Sequence, residues 1–163
     1  MTAALTLTEL LDWSDESTRK WLVFLAEHPE LQTAPCGIYK TENVLGLVRH
    51  IVAVELRYSQ RLAGLPVSAY DEIRADSLAA MEARHAEAIE RLRAVAEDTI
   101  QNWDEELEFV TLSAGTLRAT RRKVFAHALL HPVRHWAQLA TLVRAAGTPA
   151  DFGGDLLLSS ALR

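Results

Sequence analysis

The stretch His127–Leu139, HALLHPVRHWAQL, decides how the rest of the chain is read. It carries His127, His131 and His135 at i, i+4 and i+8, half of the chain's 6 histidines. On an α-helix each four-residue step turns by about 40° and rises about 6 Å, so the three imidazoles share one face. Neighbouring members lie about 5–6 Å apart and can chelate one ion. The outer pair is about 12 Å apart, too far for two metal–nitrogen bonds of about 2.0–2.1 Å. The stretch therefore offers two alternative pairs, His127/His131 or His131/His135, and needs a third ligand from another helix. Pro132 follows the middle histidine. It donates no N–H, and its ring presses on the carbonyl of Ala128. That predicts a bend in the helix and a freed carbonyl, an acceptor for the second nitrogen of a histidine.

The same helix is expected over 121–146, with Gly147 at its C′ position and Pro149 preventing continuation. Three more helices precede it. Thr6-x-x-Glu9 is a capping-box pattern opening a first helix over 7–28, with polar Ser14, Ser17 and Thr18 between its apolar positions and Pro29 ending it. PELQTAPCGIYK (29–40) reads as a loop. A second helix follows Thr41, whose hydroxyl is a candidate N-cap, and runs to about 62 on Val44, Leu45, Val48, Ile51, Val52, Leu56 and Leu62. A third covers 77–97, with Leu78, Met81, His85, Ala88, Leu92 and Val95 at three- and four-residue steps. EELEFVTLSAGTLRAT (105–120) is richer in β-branched and aromatic residues, and its Ser113-Ala114-Gly115 is a candidate tight turn, so a short β-hairpin is expected there. The tail ADFGGDLLLSSALR has no clear period and is expected to pack across an end of the domain. Four long amphipathic segments give an all-α four-helix bundle, read as a single domain over 1–163.

Composition narrows the function classes. A 163-residue chain buries a sizeable core without disulfides or a structural metal, so a metal here is functional rather than structural. The formal net charge of −5 argues against nucleic acid or an anionic membrane as partner. Cys36 is alone, which fits a reducing cytoplasm, and it reads as a loop cysteine with no base beside it. The N-terminal MTAALTLTELLDW does not read as a signal peptide, and with no run of 18 apolar residues no membrane span is expected.

His50 is the candidate third ligand. It lies mid-helix in GLVRHIVAVELRY, flanked by Leu47, Ile51 and Val54. The plain alternative is a core histidine bonded to a backbone carbonyl. A helix-two histidine and a helix-four pair can converge in a bundle core, which is what raises both above chance. His28 reads as a structural histidine at a helix C-terminus. His85 falls on the apolar stripe of helix three, a core or boundary position. Its Glu82-x-x-His85 setting has no second copy, which excludes a di-iron carboxylate bundle. Pro132 stands where a His-Glu-x-x-His protease needs its glutamate, and no Gly-x-Ser-x-Gly elbow supports a serine hydrolase.

A bundle with a histidine on helix two, and a helix-four pattern like His-x-x-x-His-x-x-His-His-Arg-Gly-Gln, resembles the DinB/YfiT-like metalloprotein superfamily. Here the pattern reads His127, His131, Arg134, His135, Trp136, Ala137, Gln138. The resemblance implies His50, His131 and His135 as metal ligands, with His127 a recurrent non-ligand. The family's Arg-Gly becomes Trp136-Ala137, and its preceding histidine becomes Arg134. The resemblance also implies a divalent ion, zinc or nickel, with open positions for thiolate or water, and a homodimer. Characterised relatives include transferases and isomerases that use low-molecular-weight thiols such as bacillithiol or mycothiol.

Three neutral imidazoles leave the ion its full charge, which favours an anionic ligand at the open position. A metal-dependent thiol S-transferase acting on a small-molecule substrate is the first expectation. A metal-dependent hydrolase and a non-catalytic, dimeric, stress-related metal-binding bundle are the alternatives. Arg57 and Arg61 are candidates for a substrate carboxylate, against a solvated face as the plain alternative, and Glu55 is a weaker candidate acid/base.

Overall fold

The computed structural model describes residues 5–38, 40–111 and 114–161. Thr6 opens the first helix by the expected capping box: its hydroxyl accepts from the Glu9 N–H, and Glu9 Oε2 accepts from the Thr6 N–H at 2.7 Å. α1 then runs Leu7–Glu27, ending beside Pro29. Here the sequence reading needs a correction. Pro29 does not open a loop but a one-turn helix, α2, Pro29–Gln32. Its fixed φ and missing N–H suit the first turn of a helix, where that N–H would have no partner anyway.

α3 spans Val44–Leu62. Its N-cap is Asn43, whose side chain accepts from the Gly46 N–H at 2.8 Å. Thr41, the expected cap, instead donates to the Ile38 carbonyl at 2.7 Å and shapes the loop before the helix. Ser77 caps α4, Leu78–Glu97. The hairpin forms as expected, β1 Glu106–Thr111 antiparallel to β2 Gly115–Thr120, with Phe109 opposite Leu117. Ser113 of the expected turn lies outside the described residues, while Gly115 takes φ 67, which favours glycine. α5 runs Arg121–Ala145 without interruption through Pro132, and Gly147 follows with φ 87.

The chain is thus mostly helical with a small two-stranded sheet. α3 packs on α4 and α5, and α1 packs on the same two helices. The core has two apolar clusters. One gathers Trp21, Leu25, Leu47, Ile51, Met81, Trp136 and Leu139. The other gathers Leu11, Leu62, Leu92, Val124, Phe125 and Leu129. Buried polar residues sit between these positions along three helices: Ser14 and Thr18 on α1, Glu55 and Ser59 on α3, and His85 on α4. Ser14 and Thr18, polar residues between the apolar positions of α1, are therefore not on a solvated face. They are 2% and 1% exposed.

The tail packs along α1. Phe152 meets the Trp21 ring at 5.0 Å, and Ser159 and Ser160 donate to Glu16. Cys36 is buried in the loop before α3. Among the described residues no helix is long and apolar enough to cross a membrane.

Candidate metal centre

α3 and α5 carry the histidines. On α5, His131 and His135 are one turn apart, and their Nε2 atoms face each other at 3.2 Å. Two nitrogens on one tetrahedral zinc, each bonded at about 2.0–2.1 Å, would lie about 3.3 Å apart. The observed separation already has that value. His50 on α3 closes the group from the opposite helix, its ring centroid 5.1 Å from each of the other two. One ring nitrogen from each residue lies within 4.8 Å of the others, so the three can hold a metal ion.

The electrostatics favour the neutral, ligating form. Burial pushes the His50 pKa down to about 4, helped by His135 and the Arg134 charge. Burial, with His135, His50, His127 and Arg134, pushes His131 down to about 2. Burial likewise lowers His135, although its bond to Gln138 opposes the shift. An imidazole must be unprotonated to coordinate, so the cost of emptying these sites of protons is met by the fold.

Support for the rings comes from side chains. His135 Nδ1 donates to Gln138 Oε1 at 2.7 Å, which leaves Nε2 as the free lone pair. The expected acceptor was a carbonyl freed by Pro132; the actual one is a side chain three residues on, a neighbour on the helix face. His50 Nδ1 lies 3.4 Å from the Tyr70 hydroxyl, on the segment after α3. His131 Nδ1 is buried without a hydrogen-bond partner among the described residues.

The remaining candidates separate. His127 is outside the group: it packs edge-on against Tyr58 at 5.0 Å, one turn before His131. Arg57 donates to the Ser68 carbonyl at 2.6 Å, and Arg61 lies over the Phe109 ring at 4.4 Å. Neither is merely solvated. Seven and eleven residues after His50 place both within about 20° of its direction on α3.

Glu55 is elsewhere, and this corrects its reading as a site acid/base. Five residues from His50 is about 140° around the helix. Glu55 Oε2 accepts from His85 Nδ1 at 2.6 Å, and His85 Nε2 donates to Asp15 Oδ1 at 2.9 Å. Burial opposes the charge on His85, but Glu55 and Asp15 outweigh it and lift the pKa to about 9. His85 is an imidazolium held between two carboxylates, not a plain core residue. Polar residues fall among the apolar positions of these helices, Ser14 and Thr18 with Glu55, Ser59 and His85, but spacing within one helix does not show which of them meet.

Trp136, which stands where the pattern has arginine, stacks on Trp21 at 5.8 Å and is core. None of the curated proteins compared with the chain matches it. The sequence pattern of the DinB family matches residues 1–153, an interval that holds all three clustered histidines and the helices that present them. The chain belongs to the DinB family.

Proposed function

We propose that the chain is a metal-dependent enzyme of the thiol-dependent S-transferase type, with a zinc or nickel ion held by His50, His131 and His135. The observation that carries this reading is the all-imidazole donor set with its 3.2 Å gap between facing Nε2 atoms. Family membership and the reciprocal packing of α1, α3, α4 and α5 support a four-helix bundle of the DinB type as its frame. A divalent ion held by neutral ligands lowers the pKa of a thiol that joins it and orients the sulfur for attack on an electrophile.

The chain's own residues hold the donors ready. Gln138 fixes the tautomer of His135, and Tyr70 accepts from His50 Nδ1 in the tautomer that leaves Nε2 open. Transfer of a thiol needs no further base once the thiol is deprotonated. Glu55, the one carboxylate on α3, is engaged with His85 and is not a base beside His50. The homodimer implied by the resemblance and the cytoplasmic setting suggested by the lone Cys36 belong to the same proposal, and sedimentation analysis tests the first of them.

Metal analysis of protein purified without a histidine tag should give one ion per chain. A panel of low-molecular-weight thiols and alkyl electrophiles should then show metal-dependent consumption of both substrates. Stoichiometric metal with no turnover across the panel would favour the non-catalytic bundle instead.

A further inference from the structure

Arg134 distinguishes this centre from three bare imidazoles. Its Nη2 lies 3.4 Å from His135 Nε2, the nitrogen that faces His131. That is its only hydrogen bond among the described residues, and no carboxylate pairs with it. The ion pairs of the described arginines involve other residues: Arg19 and Arg93 with α1 aspartates, Arg84 and Arg91 with Glu87, Arg118 with Glu108, and Arg121 and Arg122 with Glu105 and Asp104. Arg49, Arg57, Arg61 and Arg134, on the two helices that carry the clustered histidines, have no carboxylate partner among the described residues. These arginines bring positive charge to the two histidine-bearing helices without an ion-pair partner among the described residues.

The four arginines are not equivalent. Arg49 donates towards the Tyr70 and Ile73 carbonyls, Arg57 to that of Ser68, and Arg61 is spread over two aromatic faces. Each has a structural task. Arg134 is exposed on α5, and its one contact is to a lone pair that a bound ion would take. Loading a dication beside a permanently charged guanidinium, with neutral ligands only, leaves local positive charge for an anion to neutralise. A guanidinium matches a carboxylate with two parallel N–H···O bonds.

We propose that Arg134 is the specificity residue of the centre, holding the carboxylate of a small anionic thiol whose sulfur enters the three-histidine site. This rests on the metal-centred thiol reading above. Because Arg134 is the neighbour of a ligand histidine and touches its coordinating nitrogen, the carboxylate it holds belongs to a thiol small enough to keep both ends at the centre.

The test is spectroscopic. Protein loaded with cobalt(II) is titrated with mercaptoacetate and with its neutral counterpart 2-mercaptoethanol, following the visible cobalt bands. Arg134→Gln should weaken mercaptoacetate binding by about tenfold, the loss expected from one charge-assisted bidentate contact, and leave 2-mercaptoethanol within about twofold of its wild-type affinity. Arg134→Lys should retain part of the mercaptoacetate affinity. Each thiol is compared with itself across variants, so differences in thiol acidity cancel. Arg134 is exposed, and cobalt content with helical circular dichroism checks that the variants are folded and loaded. An unchanged mercaptoacetate affinity in Arg134→Gln overturns the assignment of Arg134 and leaves the thiol reading standing. Cobalt bands that respond to neither thiol overturn both. Protein that takes up no cobalt overturns the metal centre and the assignment with it.

Discussion

Two histidine sites lie on opposite sides of α3, and they are built by opposite rules. On the α5 side His50, His131 and His135 face one another with no carboxylate in the group, and burial keeps them unprotonated. On the α1 and α4 side His85 stands between Glu55 and Asp15, fully buried, and is kept protonated. Burial works against the charged imidazole in both places. What differs is the company: other imidazoles and Arg134 in one, two carboxylates in the other. The first arrangement leaves lone pairs for a ligand. The second consumes both ring nitrogens in ion pairs and has nothing left to bind with. Residue type alone therefore says little about a histidine; the neighbours decide whether it is a ligand or a structural cation.

The largest effects should separate the two sites completely. His131→Ala removes a donor shared by both possible helical pairs. It should lower metal affinity by more than about 100-fold while leaving the chain folded, since the other ligands cannot close a three-nitrogen set. Retention of one ion per chain in that variant would sink the centre. His85→Ala should do the reverse. It leaves Glu55 buried without its counter-charge, and breaking a buried pair this way costs about 3–5 kcal/mol. Chemical denaturation should show that loss, and the folded fraction should still take up metal. If His85→Ala lost metal while keeping its stability, the division drawn here would be wrong.

The same contrast explains how much could be read from the sequence. Helix limits near 7, 62, 97 and 145 were legible because capping residues and apolar periodicity mark them locally. The centre was legible because i, i+4 spacing is a backbone property, and because the His127–Gln138 pattern resembled a family with a helix-two ligand. The polar layer was not. Ser14 and Thr18 carry no charge and look like a solvated stripe, and Glu55 looks like a companion of His50 until the rotation about α3 is followed through five residues. What joins them is the meeting of three helices far apart in sequence, Asp15 with His85 across 70 residues. Spacing within one helix cannot show that.

pH sharpens the comparison because the two sites respond with opposite sign. The His85 pKa is raised on folding, so its contribution to stability is full below its unfolded value of about 6.5 and is lost as pH rises through about 9. His50 and His131 are lowered, to about 4 and about 2. The unfolded chain takes up their protons first, so the metal-free protein loses stability as pH falls from about 6.5. Thermal melts across pH 4 to 10 should show both limbs. His85→Gln should flatten the alkaline limb, and zinc should raise the melting temperature most near neutral pH, with the gain fading on the acid side as protons compete for the ligands. An alkaline limb unchanged in His85→Gln would mean that the imidazolium is not its source.

Smaller effects test the ring supports. Gln138→Ala takes the acceptor from His135 Nδ1 without touching a ligand atom. Loss of such a support weakens metal binding by about 10- to 100-fold, less than loss of a donor. Competition with a chromophoric chelator measures it, and an affinity equal to wild type would show that His135 holds its tautomer without Gln138.

The smallest effect is expected at His127, and it is the most telling about the opening motif. By spacing, His127 is as good a partner for His131 as His135 is. The structure separates them by surroundings: His135 is buried, with Gln138 behind it and Nε2 towards His131, while His127 is exposed and packs its ring against Tyr58. Of these two, only His135 has its second nitrogen held and its first aimed at His131. His127→Ala should therefore change metal affinity by less than about threefold, close to the error of a competition titration and far below the effect of an outer support. A loss matching that of His131→Ala would mean that the ion sits one turn earlier on α5, between His127 and His131. Arg134 would then lie farther along α5 from the ion, so this least dramatic variant also guards the assignment of Arg134.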